Sequence, residues 1–194
     1  MVVTIDGPAG AGKSTIAREV AARLGYRHVD TGAMYRELTA VALERGIDLD
    51  DAAALEALVG VAPLVPVDLR SERISAHVST VARHERVRER MRARQRELAS
   101  DAVLEGRDTG TRVCPGADVK VYLTASVRER ARRRAADLEL PVDAIERAIA
   151  ERDRLDAVQL APAADAHTID TTGVAPAEVV ERVLALVRGA TADG

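Results

Sequence analysis

Gly7-Pro8-Ala9-Gly10-Ala11-Gly12-Lys13-Ser14 fits the pattern G-x-x-x-x-G-K-[ST] without a gap. Ahead of it stands Val2-Val3-Thr4-Ile5-Asp6, a short β-branched run that reads as a buried strand. Behind it Ile16, Val20 and Leu24 recur at helical spacing and Gly25 supplies a stop, which predicts a helix over 14–24. Strand, glycine-rich turn and helix form the context that a phosphate-binding loop requires. The glycines let the backbone curl so that successive N–H groups point into one concavity. The positive end of the helix adds to the attraction for phosphate. The expectation is an ATP site over Gly7 to Thr15, with Lys13 bridging the β- and γ-phosphates and Ser14 ligating Mg²⁺.

Outward from this loop, strands are predicted at 26–30, around Val103-Leu104, at 119–123 and at 168–170. Helices are predicted at 32–45, at 50–59 with Asp50 or Asp51 as cap, and at 79–99 as one long arginine-rich helix. Segments 126–138 and 142–157 read as a helical hairpin turning near Pro141, and 177–188 as a closing helix with frayed residues after it. The stretch 60–73 holds Pro63 and Pro66 and reads as irregular or as a marginal strand. Alternating strands and helices predict an α/β fold, a parallel sheet flanked by helices. The expected organisation is one domain over 1–194, with a small insert at about 46–79 and a helical lid at about 126–157.

A chain of 194 residues, 47% hydrophobic and 30% charged, is long enough for one α/β domain and unlike a disordered one. It has no Phe and no Trp, so Ala, Val, Leu and Ile must build the core. The net charge of -3 gives no general attraction to nucleic acid or anionic membrane. No apolar run approaches the roughly 20 residues of a bilayer span. The N-terminus has neither a basic region nor a cleavable signal, and the lone Cys114 suits a reducing compartment, so a cytoplasmic location is expected; the chain is also expected to be a monomer. Every one of its 28 basic residues is an arginine except Lys13 and Lys120.

That scarcity of lysine narrows the class. A guanine-reading [NT]-K-x-D loop is impossible, because Lys120 sits in Asp118-Val119-Lys120-Val121. A small phosphate-binding chain with many scattered arginines fits phosphoryl transfer between two anionic ligands. The arginines of 83–96 alternate with Glu85, Glu89 and Glu97 at spacings that permit ion pairs, so most are read as a solvated helix face. Ser79 equally suits a helix N-cap, and Asp153 a partner for a neighbouring arginine. His28, His77, His84 and His167 lack metal-ligand spacing and are read as structural or exposed. Arg107 and Asp108, in a Gly-flanked loop after a buried strand, are hard to explain structurally.

Further segments carry a resemblance. Asp30-Thr31-Gly32-Ala33-Met34-Tyr35-Arg36, Val87-Arg88 with Gln95-Arg96, and Glu105-Gly106-Arg107-Asp108-Thr109-Gly110-Thr111 follow the loop in order. Leu123-Thr124-Ala125-Ser126 with Arg130 to Arg134, Arg152-Asp153 with Asp156, and Ile169-Asp170-Thr171-Thr172 complete the series. Together, and with the loop itself, they are similar to bacterial cytidylate kinases, P-loop nucleoside monophosphate kinases. The resemblance spans nearly the whole chain. It implies transfer of the γ-phosphoryl group of ATP to CMP and dCMP, with Mg²⁺, in pyrimidine nucleotide metabolism. It implies that Arg36 and Arg107 clamp the CMP phosphate, with Arg152 joining on lid closure. Ser79, Arg88 and Asp108 would read cytosine, Asp156 would accept from the ribose hydroxyls, and Thr31 and Tyr35 would line the acceptor pocket. Arg133, with Arg130 and Arg134, is a lid candidate on the ATP side. The chain departs from longer family members in a short 60–78 stretch, so the CMP lobe is expected to be reduced. Gln159 stands where an arginine is often found, leaving one phosphate contact missing or supplied by Arg154.

Three other functions compete. A kinase of UMP or another small metabolite on the same scaffold would differ in its acceptor. An arginine-rich nucleic-acid-binding protein would show salt-sensitive binding. A regulator that binds ATP without transfer would leave Arg36 and the Arg107-Asp108 loop without a purpose.

Overall fold

The structure of the chain, a computed structural model, describes residues 1–138, 141–156 and 161–192, apart from the side chains of residues 137, 138, 152, 155 and 156. Its strands are β1 (Val2–Asp6), β2 (Arg27–Asp30), β3 (Ala102–Gly106), β4 (Val119–Thr124) and β5 (His167–Asp170). They form one sheet in the order β2-β3-β1-β4-β5, with β1 paired in parallel to both β3 and β4, and β4 to β5. The helices are α1 (Lys13–Leu24), α2 (Thr31–Glu44), α3 (Ala52–Ala57), α4 (Glu72–Ala82), α5 (Glu85–Glu97), α6 (Val127–Leu138), α7 (Val142–Asp156) and α8 (Pro176–Ala192). A π-helical turn, Thr109–Val113, follows β3. Central β1 feeds directly into the glycine-rich loop, at the carboxyl edge of the sheet where open α/β folds bind ligands. No helix among the described residues is long and apolar enough to cross a membrane.

The chain divides into two compact units, Met1–Val29 with Ala99–Gly194, and Asp30–Leu98. The first holds the sheet, packed by Val3, Ile5, Val20, Val121, Leu123 and Val183 from β1, α1, β4 and α8. A smaller cluster, Ala131, Ala135, Ile145 and Ile149, joins α6 to α7. Lys120 is buried there too, its Nζ donating to Pro115 O at 2.5 Å and pairing with Asp165 at 2.7 Å, which gives the second lysine a structural place. The second unit is helical, around Leu38, Val41, Leu55, Val81, Val87 and Met91.

The helix expected over 79–99 is two helices, broken at Arg83-His84. Val81 and Val87 are both fully buried in the same cluster. Six residues advance an α-helix by one and two-thirds turns, so one straight helix would aim them at different faces. The break lets both enter the core. Arg88 Nη1 donates to Ala82 O and Arg83 O, each at 2.8 Å, and so caps the carbonyls that end α4. Ser79, in the last turns of α4, is therefore not an N-cap. The cap of α3 is Asp51, whose carboxylate accepts from Ala53 and Ala54 N–H. Helix α8 extends to Ala192, beyond the expected end at 188, with Pro176 at its first position.

Candidate active site

Gly7 has φ 146°, and a Cβ there would lie 2.1 Å from Leu123 O on β4. Gly10 has φ 81°, and its Cβ would meet Arg130 Cβ at 2.9 Å. A side chain at either position would push the loop off its neighbours, so the glycines set both its curl and its depth. Lys13 Nζ folds back across the loop and donates to Pro8 O at 2.8 Å. Helix α1 starts at Lys13 with no acidic residue in its first turn, which leaves its positive end available to an anion.

Asp6, the last residue of β1, is buried and accepts from Thr109 N at 3.0 Å, Thr109 Oγ1 at 2.7 Å and Gly110 N at 2.8 Å. Burial raises its pKa above the usual 3.8, against the lowering effect of the Gly110 and Thr109 hydrogen bonds. One carboxylate thus ties the start of the phosphate loop to the turn just after Arg107 and Asp108. Glu105, at the end of β3, is 2% exposed. It accepts from Ser14 Oγ at 2.7 Å and meets His28 Nε2 at 2.8 Å.

Arg130, expected among the lid arginines, lies on α6 and is buried. It donates from Nε to Ala125 O at 3.0 Å, from Nη1 to Ala9 O at 3.1 Å, and from Nη1 and Nη2 to both oxygens of Asp153 at 3.2 and 2.6 Å. Asp153 is thus the arginine partner that its sequence context allowed. Arg133 lies beside Gly12, where a Cβ would be 3.7 Å from Nη1. It binds Thr171 Oγ1 at 3.1 Å, Thr171 O at 2.6 Å and Glu129 at 2.9 Å. The Arg132 guanidinium and then that of Arg133 hold the Glu129 carboxyl down at about 2. Arg134 lies partly buried on α6, and Arg152 and Asp156 are on α7 with side chains outside the described residues, as is Gln159.

In the helical unit, Asp30 caps α2 by accepting from Ala33 N at 2.7 Å, and its other oxygen holds Arg36 Nη2 at 3.1 Å. Arg36 Nε is buried and has no hydrogen-bond partner among the described residues. Thr31 is buried at the start of α2, and Tyr35, half-buried, packs on the unit's core. Ser79 is exposed, and Arg88, besides its capping bonds, pairs with Glu85.

Asp6, Glu105 and His28 are the site residues that motif reading passed over. The signal for the first two was an acid ending an otherwise apolar strand beside a glycine-rich loop. For His28 there was none, since its partner is 77 residues away.

A parallel sheet whose central strand enters a strand–loop–helix phosphate cradle defines the P-loop kinases. The fold agrees with solved members: a gluconokinase from Sinorhizobium meliloti 1021 matches with TM-score 0.57 at 19% identity over 98% of this chain and 93% of its own. A shikimate kinase from Acinetobacter baumannii matches with TM-score 0.53 at 18% identity over 96% and 92%. At such identities the likeness concerns the fold alone. The sequence goes further: the family model described as cytidylate kinase matches residues 3–189, and the chain belongs to that family. It is 48% identical to the cytidylate kinase of Shouchella clausii over 96% of this chain and 95% of that protein. It is 45% identical to the cytidylate kinase of Geobacillus kaustophilus over 95% of each.

Proposed function

We propose that the chain transfers the γ-phosphoryl group of ATP to CMP and dCMP, giving ADP and CDP or dCDP. The observation that carries this reading is the placement of Asp6. It begins the donor-phosphate loop and holds the Arg107-Asp108 turn by three hydrogen bonds, so both loops leave the sheet at one point. Lys13 would lie along the β- and γ-phosphates, exchanging its bond to Pro8 O for phosphate oxygens. Arg36 and Arg107 would clamp the acceptor phosphate, and the buried Arg36 Nε is a donor suited to that task. Asp108, with Ser79 and Arg88, would accept from and pair with the cytosine edge. Uracil, with a carbonyl where cytosine has its amine, would meet repulsion there. Thr31 and Tyr35 would line the pocket, Asp156 would hold the ribose, and Arg152 would close with the α6–α7 hairpin to exclude water.

The nucleophile is an oxygen of the CMP phosphate. With a second pKa near 6 it is largely dianionic at neutral pH, and no general base is needed. Attack forms one P–O bond to the γ-phosphorus while the bond to the ADP oxygen breaks. The work of the protein is to bring two polyanions together, which Lys13 and the arginines do electrostatically. The hydroxyl of Ser14 beside the Glu105 carboxylate is an all-oxygen donor pair that fits Mg²⁺, with Ser14 as the direct ligand. Bound there, the ion supplies charge neutralisation at the donor phosphates. A cytoplasmic, monomeric enzyme acting on these two nucleotides completes the reading.

The test is incubation with ATP, Mg²⁺ and, separately, CMP, dCMP, UMP, AMP and GMP, with ADP and the diphosphate quantified. Strong turnover with CMP and dCMP and little with UMP is expected. Equal turnover with UMP would refute the base assignment, and none with any would refute the acceptor class.

A further inference from the structure

We infer that His28 is a positioning residue for the phosphate cradle: it fixes the Glu105 carboxylate, and through it the hydroxyl of Ser14, so that Ser14 keeps lone pairs for the cation at the donor phosphates. The inference rests on the Mg²⁺ role proposed for Ser14 and goes beyond it, to a residue outside every motif of the chain.

Glu105 is 2% exposed, so its carboxylate depends on protein donors rather than on bulk water. Rotation about the terminal bond of a glutamate is soft, with no sharp staggered wells. Donors on both oxygens fix the plane of such a carboxylate. Here Oε2 accepts from Ser14 Oγ at 2.7 Å, and Oε1 faces His28 Nε2 at 2.8 Å. A carboxylate offers acceptors only, so the imidazole nitrogen facing it carries the hydrogen.

The consequence falls on Ser14. A hydroxyl has one proton and two lone pairs. With the proton committed to Glu105, the lone pairs point away from it, and a cation is ligated by a lone pair. His28 stands one step further out, on strand β2 next to β3, with its side chain 22% exposed. Partners bonded directly to a metal ligand, as Glu105 is to Ser14, typically change metal affinity by about 10–100-fold when removed, and His28 acts on that partner.

The experiment is calorimetric titration of ADP into the full-length protein, in Mg²⁺ and in EDTA, for the wild type, Ser14→Ala, His28→Leu and His28→Gln. The quantity read is the ratio of the two ADP affinities. His28→Leu is expected to lower this ratio by about tenfold while ADP affinity in EDTA stays at the wild-type value. Ser14→Ala should abolish most of the ratio. His28→Gln, whose amide can donate to Oε1, should restore it. A wild-type ratio in His28→Leu overturns the inference, as does an equal loss in EDTA or a glutamine variant as deficient as the leucine one. If His28→Leu melts well below the wild type, His28→Asn, polar but too short to reach Oε1, takes its place with the same expected ratio. A wild-type protein whose ADP affinity ignores Mg²⁺ overturns the Ser14 reading and the inference with it, and CMP turnover by that protein tests the acceptor assignment separately.

Discussion

Replacing Asp153 by alanine strips the buried Arg130 guanidinium of its counter-charge, and the size of the effect follows from the contacts. Two hydrogen bonds are lost, at 3.2 and 2.6 Å, both between charged groups. Arg130 has a side-chain exposure of 4%, so water cannot replace the missing oxygens, and among the described residues the Ala125 and Ala9 carbonyls remain as its acceptors. Removing one partner of a buried pair costs about 3–5 kcal/mol. Asp153 itself keeps 23% exposure, which weakens the pair in the native state and places the expectation at the lower end, about 3 kcal/mol. For a chain of this length that corresponds to a fall in melting temperature of about 6–12 °C. Scanning calorimetry measures the total, and hydrogen exchange should localise the loss to α6, α7 and the loop at Ala9. The double variant Arg130→Met/Asp153→Ala closes a thermodynamic cycle whose coupling should exceed about 1.5 kcal/mol. A fall of less than about 1 °C in Asp153→Ala, or a coupling near zero, would refute the claim that Asp153 is the counter-charge on which the buried Arg130 depends.

Lys13→Ala should lower phosphoryl transfer by at least about a hundredfold in a coupled ADP assay, with the far-ultraviolet spectrum intact; near-normal turnover would sink the cradle assignment. Asp108→Ala should reduce the CMP-over-UMP ratio of kcat/KM by about tenfold or more while ATP KM holds, and an unchanged ratio removes its base-reading role. Glu129 is depressed to about 2 in the fold, below its ordinary 4.5, so its stabilisation is complete above 4.5 and is lost as pH falls toward 2. Glu129→Gln should therefore melt lower than the wild type at neutral pH, with the gap closing across that acid window; a gap independent of pH would show that the arginine pairs contribute nothing.

How much of this was legible from the residues depends on the range of the interaction. The P-loop could be read because strand, glycines and helix are contiguous, and the glycines answer to local backbone needs. The same holds for Asp51, whose capping bonds reach only to Ala53 and Ala54. The break between α4 and α5 could not be read from the usual helix breakers, since residues 79–99 hold no Gly or Pro. It is imposed by Val81 and Val87 seeking one core, a demand visible only once their spacing is set against a shared partner. The place of Arg130 was hidden for a related reason: arginines in a charged helix look alike, and only the fold shows that one of them turns inward to Asp153 and Ala9.

The same distinction explains why the two lysines of an arginine-rich chain carry different weight. Lys120 is held by Pro115 O and Asp165 at 2.5 and 2.7 Å, a buried ammonium matched to two fixed acceptors. Lys13 holds Pro8 O at 2.8 Å within the very loop it would leave to meet phosphate. A guanidinium, planar and wide, suits neither place: it would need forked acceptors that one carbonyl and one carboxylate oxygen do not supply. Both positions therefore call for a compact, rotatable charge, and the function of Lys13 comes not from being a lysine but from standing where β1 empties into the positive end of α1. Moving that charge two residues along the first turn of α1, with Lys13→Ala combined with Thr15→Lys, should leave the enzyme as inactive as Lys13→Ala alone. Recovery of turnover by the relocated lysine would mean that charge near the helix start, rather than the particular position of Lys13, is what the loop requires.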